Sequence, residues 1–285
     1  MKIIIDAMGG DFAPEAPVRG ALLAREKYGA DIILTGRTAD ILRELEKAGC
    51  KEVPQGIEIA NAEEVVEICD DPATAFKQKK DSSLTVGLNL LRDGQADGFI
   101  SAGSTGALLA GATLVVKRIR GLRRAALAPT IPTMTGKAVL IDCGANAECR
   151  AEMLNAFGTM GSVYMNKVMG RKDPAVALVN NGAEDTKGTP MYREAHGLLK
   201  ANPAIRFVGN IEPRDIMAGE VDVIVCDGFV GNVVLKLTEG VAGTLLGMLK
   251  DIFMQSIVTK LCYLGVKGGL RNLKHMMDSE EIGGA

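Results

Sequence analysis

Short runs of β-branched and aliphatic residues recur along the chain, each ending in a cluster of glycine, aspartate, asparagine or serine. MKIIIDAMGGD opens the series, followed by ADIILTGRT, DGFISAGSTG, KAVLIDCGANAE, AVALVNNGAED, IRFVGNIEPRD and VDVIVCDGFVGN. Between them, Val18–Tyr28, Thr38–Ala48, Ser83–Arg92 and Arg193–Lys200 carry helical spacing. Strands that alternate with helices predict an α/β fold: a three-layer αβα arrangement with a mainly parallel sheet covered on both faces. Ligands of such sheets sit outside the carboxyl ends of the strands. Those ends carry nearly all of the polar glycine clusters here.

The pattern changes near residue 231. VVLKLTEGVAGTLLGMLKDIFMQSIVTKLCYLG is an almost continuous apolar helical pattern with sparse charge. It predicts an α/β catalytic core over 1–240 and a helical extension over 241–285 packed on the same domain. The closing EIGGA carries neither cap nor strand, and the natural chain is expected to continue beyond it. A second uncharged run, Gly98–Val116, is long enough for a membrane span. Four glycines and four hydroxyl residues interrupt it, so a strand, turn and helix are expected instead.

Composition narrows the classes. Net charge −2, 4% aromatic residues and no Trp argue against a nucleic-acid surface. Six cysteines without a CxxC pair, and no signal peptide, predict thiols in a reducing cytoplasm. With two histidines and no ligand spacing, neither a metal nor another cofactor is expected.

Candidate chemistry lies in the loops. In SAGSTG, residues Ser101, Gly103, Ser104, Thr105 and Gly106 form a strand-to-helix turn open to an anion. The loop has no Walker lysine and its glycine spacing is GxxG, which disfavours a nucleotide. Free phosphate needs less: millimolar affinity is about 4 kcal/mol. A helix terminus supplies roughly 0.3–1 kcal/mol and each charge-assisted hydrogen bond roughly 1.5–3. A plain tight turn is the competing reading. IDCGANAE offers Asp142 and Asn146; Cys143 between them has no neighbouring base to activate it. NNGAEDTKG offers Glu184, Lys187 and Gly188, the lysine being equally readable as a solvated charge. CDGFVGNVVLK brings Asp227, Gly228, Gly231, Asn232 and Lys236 to a second helix start. Asp6, Gly9, Gly10 and Asp11 form a further acid-glycine mouth.

The segments IIIDAMGGDFAPEAPVRGA, SAGSTGALLAGA, NAFGTMGSVYM, GNIEPRDI and VDVIVCDGFVGNVVLKLTEG, in this order, strongly resemble the PlsX family of bacterial phosphate acyltransferases. The resemblance runs from Met1 to about Gly240 and continues more weakly to Ala285. It implies transfer of a long-chain acyl group from acyl carrier protein to inorganic phosphate, for phosphatidic acid synthesis by a membrane glycerol-3-phosphate acyltransferase. It also implies a homodimer, peripheral membrane association, and a fold related to phosphotransacetylases and to isocitrate/isopropylmalate dehydrogenases. The family commonly has DVGANVDCKPEHL where this chain has DCGANAECRAEML, and NIGEE where it has NNGAED.

On that basis Ser104, Thr105 and Gly106 would seat phosphate. Asn146, Lys187, Asn232 and the amides of 228–231 would hold the thioester carbonyl, with Asp142 and Asp227 orienting groups or handling the proton. Val233–Met277 would supply an acyl groove or a dimer core. Ile257, Leu261 and Leu264, bordered by Lys260, Lys267, Arg271 and Lys274, would meet the membrane. Arg118, Arg120, Arg123 and Arg124 would dock the acidic carrier protein, or form a solvated turn. A nicotinamide-dependent dehydrogenase and a non-catalytic membrane scaffold are the alternatives.

Overall fold

All seven apolar runs form strands, and two further strands join them, in a computed structural model that describes residues 1–72 and 74–277, with the side chains of 272–277 outside the description. The closing residues 278–285 and the side chain of Lys274 therefore lie outside the described residues. The chain divides into two units, Met1–Gly121 and Leu122–Ala285, each with its own sheet.

In the first unit, β1 (Lys2–Asp6), β2 (Asp31–Gly36), β3 (Ile57–Asn61) and β4 (Gly98–Ile100) form an all-parallel sheet in the order β3-β2-β1-β4. Helices α1 (Glu15–Tyr28) and α2 (Thr38–Lys47) bury Val18, Ala21, Ile41 and Leu45 against Ile32 and Leu34. Past the short α3 (Ala75–Gln78), α4 (Ser83–Arg92) and α5 (Thr105–Gly111) cluster Leu84, Leu88 and Ala107. Each fully buried Val, Leu or Ile among them contributes about 1.5–3 kcal/mol. Ser82 caps α4 by accepting the Thr85 N–H, and Gly29 closes α1 at φ 63°.

The second unit orders its strands β5-β6-β9-β7-β8: β5 (Thr130–Thr133), β6 (Gly136–Ile141), β7 (Ala175–Val179), β8 (Arg206–Ile211) and β9 (Val223–Val225). All but β5 are parallel. Strand alternation divides the core in two. Val139, Ile141, Val176, Leu178, Val223 and Val225 face α6 (Ala151–Lys167) and α7 (Pro190–Lys200). Leu140, Ala177, Ile224 and Cys226 face Val230, Val234 and Leu235 of α8 (Gly228–Met254). A final helix, α9 (Ile257–Met277), packs against α8.

Three-layer, mainly parallel architecture thus holds in each unit, but the strands fall into two sheets instead of one. The expected boundary at 240/241 falls inside α8, which runs unbroken through it; the division of the chain lies at 121/122. Strand β5 (Thr130–Thr133) lies outside the seven apolar runs. Pro132 is tolerated there because β5 is an edge strand, paired only with β6. The C-terminal helical pattern breaks once, at Gln255–Ser256, where Ser256 accepts the Thr259 N–H and Thr259 Oγ1 accepts the Ser256 N–H.

Candidate active site

In the first unit, β1 ends at the buried Asp6, whose Oδ1 accepts the Met8 N–H at 3.1 Å. Its Oδ2 accepts the Ser101 hydroxyl at 2.8 Å from the end of neighbouring β4. Ser101 Oγ in turn accepts the Gly103 N–H at 3.1 Å. Gly9 makes the junction possible: a Cβ there would stand 2.7 Å from both Asp6 Oδ2 and Ser101 Oγ. Ser104 caps α5, its Oγ accepting the Ala107 N–H at 3.4 Å, so its hydroxyl proton is not used in that bond. Thr105 and Gly106 are exposed on the first turn. The five residues expected to seat phosphate therefore differ. Ser101 and Gly103 bind the loop to Asp6, while Ser104 and Thr105 carry the hydroxyls that can address a ligand. A cavity of about 320 Å³ beside Asp6 is lined also by Gly9, Gly10, Asp11 and Phe12.

In the second unit, the loops after β6, β9 and β7 share the carboxyl edge of three adjacent strands. Asp142, fully buried, accepts from Leu127 N (2.9 Å) and Ala145 N (3.2 Å) on Oδ1. Its Oδ2 accepts from Asn146 N (2.7 Å) and Asn146 Nδ2 (2.9 Å). Four donors engage this carboxylate, which makes it the organiser of its loop. Asn146 gives its second amide hydrogen to Ala125 O at 2.8 Å. Both donors expected for a thioester carbonyl are therefore spent within the unit, on Asp142 and Ala125. What Asn146 presents to the neighbouring loop is its own carbonyl, which accepts the Gly228 N–H at 2.8 Å.

Asp227 caps the 27-residue α8, its Oδ1 accepting the Val230 N–H at 2.9 Å. Its Oδ2 accepts the Tyr192 hydroxyl at 2.6 Å, a contact absent from the sequence reading because 35 residues separate the partners. Burial first, and then the hydrogen bond to Asp227, push the Tyr192 phenol far up, so it stays a neutral donor. Thr189 and Pro190 set α7 at the position that delivers Tyr192, Thr189 Oγ1 accepting its N–H. Gly231 is required by close approach: a Cβ there would collide with the Asp142 carbonyl oxygen. Asn232 is exposed on the following residue.

After β7, buried Asn180 donates to Lys187 O at 3.2 Å and accepts the Asn181 N–H at 2.9 Å. The Glu184 carbonyl accepts from Lys187 N and Asn210 Nδ2, and Gly188 turns the chain at φ 90°. The loop thus leaves Lys187 exposed, with Glu184 holding the turn through its backbone carbonyl. Lys236 lies two turns into α8 and pairs with Glu239 at 2.8 Å. Cys143 and Cys149 are disfavoured as nucleophiles. Burial, then the Asp142 and Glu239 charges, raise Cys143 from 9.0 to about 12, and burial chiefly raises Cys149 to about 11.

A family profile described as "Fatty acid synthesis protein" matches residues 1–285. The chain is also 48% identical, over 285 residues, to a protein named "Phosphate acyltransferase" from Alkaliphilus oremlandii; the match covers all of this chain and 84% of that one. The chain belongs to the phosphate acyltransferase family. It is an acyltransferase of fatty acid and phospholipid synthesis, acting on an acyl substrate and phosphate. Its fold is shared with a phosphotransacetylase from Streptococcus pyogenes at TM-score 0.66 and 21% identity, covering 85% of this chain and 82% of that one. A putative 4-hydroxythreonine-4-phosphate dehydrogenase from Salmonella typhimurium follows at TM-score 0.51 and 14% identity, with 83% and 84% covered. The expected kinship with phosphotransacetylases and dehydrogenases is therefore a kinship of fold, and the dehydrogenase alternative is not favoured.

Arg118 and Arg120 belong to the first unit, Arg123 and Arg124 to the second, so the expected docking patch is not one cluster within a unit. Arg123 and Arg124 line a cavity of about 560 Å³ with Asn146, Cys149 and Arg150. Ile257, Leu261 and Leu264 are exposed at four- and three-residue spacing on one stripe of α9. On α8, Phe229, Val233, Leu237, Val241, Leu245, Met248 and Ile252 are exposed at the same kind of spacing. By length and composition alone α8 could also cross a membrane, at mean hydropathy 1.3.

Proposed function

We propose that this enzyme transfers a long-chain acyl group from acyl carrier protein to inorganic phosphate. A phosphate oxygen attacks the thioester carbonyl carbon and the C–S bond breaks. The thiolate takes up a proton as free carrier protein, and acyl phosphate is released for a membrane glycerol-3-phosphate acyltransferase. The match of the whole chain to phosphate acyltransferases carries this reading. No acyl-enzyme is needed, because a thiolate is a good leaving group and the buried thiols are held protonated.

Within the second unit, Lys187 and the start of α8 are proposed to stabilise the charge that develops on the carbonyl oxygen, with Asn232 beside them. A positioned cation and oriented amides act most strongly where water is excluded. Asp142, Asn146, Tyr192 and Asp227 hold those loops in place. In the first unit, Ser104 and Thr105 with the Gly106 turn are proposed to bind phosphate. The exposed α8 stripe is proposed as a homodimer face and the α9 stripe as a peripheral membrane contact of a cytoplasmic protein. The carrier protein is proposed to dock through the arginines of 118–124 and the acyl chain to lie along Val233–Met277.

One assay tests the reaction: palmitoyl-acyl carrier protein with and without phosphate, with acyl phosphate trapped by hydroxylamine and the released carrier thiol titrated. Phosphate-dependent hydroxamate, equal to the thiol released, is expected. Thiol release that ignores phosphate would count against the reading, and no turnover at all would favour the scaffold. Ser104→Ala with Thr105→Val is expected to raise the phosphate KM at least tenfold; unchanged phosphate kinetics would remove those two from the site.

A further inference from the structure

The second unit contains a concentration of guanidinium groups that the catalytic assignment leaves unused. Arg123, Arg124 and Arg150 line one cavity of about 560 Å³, within the ~300–1,000 Å³ range of small-molecule sites. Its floor includes Ala145 and Asn146, the loop pinned by Asp142. The wall continues into Glu152 and Met153, the first turn of the 17-residue α6, whose N-cap position is Arg150 with no side-chain cap. Glu148 and Glu152 also line the space, so its lining is rich in arginine but of mixed charge. Cys149 is another lining residue; burial raises its thiol, and the nearby Arg124 charge offsets only a small part of that. The cavity also adjoins the reacting loops, because the Asn146 carbonyl holds Gly228 N.

Guanidinium groups are planar forks with several donors, matched to tetrahedral oxyanions and to phosphate esters. We propose that this arginine-lined cavity is a phosphate-group subsite of the acyltransferase. Two phosphate groups occur in the proposed reaction, and both fit this chemistry: the phosphodiester of the phosphopantetheine arm that carries the thioester, and free inorganic phosphate, which would then not be seated by Ser104 and Thr105 alone. The proposal rests on the acyl-transfer reading and adds a group-binding role for Arg124 and Arg150 that is separate from attraction to an acidic protein surface.

The test replaces Arg124 and Arg150, singly and together, by alanine, with Arg124→Lys and Arg150→Lys as charge-retaining controls. Three acyl donors are compared: acyl-carrier protein, acyl-phosphopantetheine and acyl-pantetheine. If the cavity seats inorganic phosphate, the phosphate KM rises about tenfold to a hundredfold with every donor. If it seats the arm, the preference for acyl-phosphopantetheine over acyl-pantetheine collapses by a similar factor while the phosphate KM stays. Either result supports the subsite, and lysine should restore only part of the loss because it lacks the fork. A loss seen with acyl-carrier protein but not with acyl-phosphopantetheine would overturn the proposal and assign the arginines to protein docking. Unchanged constants in the double variant would overturn it too. Direct titration of the protein with phosphate, phosphopantetheine and pantetheine reads the subsite without turnover, so its failure is distinguishable from failure of the proposed reaction.

Discussion

Asp142→Asn probes the organisation of the second unit's loops. The carboxylate is fully buried and accepts four hydrogen bonds, two on each oxygen. Asparagine keeps the shape but replaces one acceptor oxygen with an amide donor. Whichever way it is turned, its NH2 meets two N–H groups that previously donated to oxygen, and both lose their partner. An unsatisfied buried donor costs about 1–3 kcal/mol, so the substitution is expected to destabilise by about 2–6 kcal/mol. Against a typical total of about 5–15 kcal/mol this is a large fraction. At roughly 2–4 °C per kcal/mol, the melting temperature should fall by about 4–24 °C. Urea titration followed by far-UV circular dichroism should move the midpoint at unchanged slope, and calorimetry should report the fall in Tm. Turnover measured well below the transition should also drop, because Asn146 O no longer holds Gly228 N at the start of α8. A shift under about 0.5 kcal/mol would refute the reasoning, since it would mean that the four donors do not depend on the carboxylate.

Four other outcomes are expected. Tyr192→Phe removes the donor to Asp227 and should cost about 1.5–3 kcal/mol in urea unfolding; its kcat should fall more than its KM rises. Gly231→Ala sets a methyl group against the Asp142 carbonyl, and calorimetry should show a loss of about 3 kcal/mol or more with little soluble activity. The raised Cys143 and Cys149 thiols bind protons more tightly folded than unfolded. Their stabilisation is complete below about pH 9 and is lost as pH rises towards about 12. Urea midpoints at pH 8, 9 and 10 should therefore decline, and less steeply in Cys143→Val; an identical slope would exclude that thiol as a cause. Leu245→Glu, in the middle of the exposed α8 stripe, should convert a dimer to monomer in sedimentation velocity, while a monomeric parent would remove the stripe from that role.

Much of the fold was legible because strand formation here is local and repetitive. The seven β-branched runs carry their own periodicity, and the helix starts at Ser82, Ser104, Thr189 and Asp227 carry capping residues. Strands β3 and β5 escaped notice for a physical reason. IEIAN and TIPT are too short for periodicity to distinguish them from loop, and TIPT holds its place only by pairing with β6. The unit boundary at 121/122 was equally hidden, since it depends on which strands pair and not on composition.

Residue types were more readable than residue roles. Acid-glycine mouths after β1, β6 and β9 stood out as polar interruptions of apolar runs, and the order of those motifs carried the family resemblance. A sequence does not show where a side chain spends its hydrogen bonds. Ser101 and Asn146 have the composition of ligand donors, yet Asp6 takes the first and Asp142 with Ala125 the second. Tyr192 carries no motif at all and becomes important only because α7 brings its hydroxyl to Asp227.

By itself the sequence determined the alternation of strand and helix, the glycine positions where backbones approach closely, and membership of the acyltransferase family. These properties reside in local periodicity, in the absence of a Cβ and in motif order. Tertiary structure alone decided the division into two sheets, the saturation of Asp142, the Tyr192–Asp227 pair, and the gathering of Arg123, Arg124 and Arg150 around one cavity. Each of these depends on groups distant in the chain meeting within a few ångströms, and hydrogen-bond capacity is allotted only when they meet.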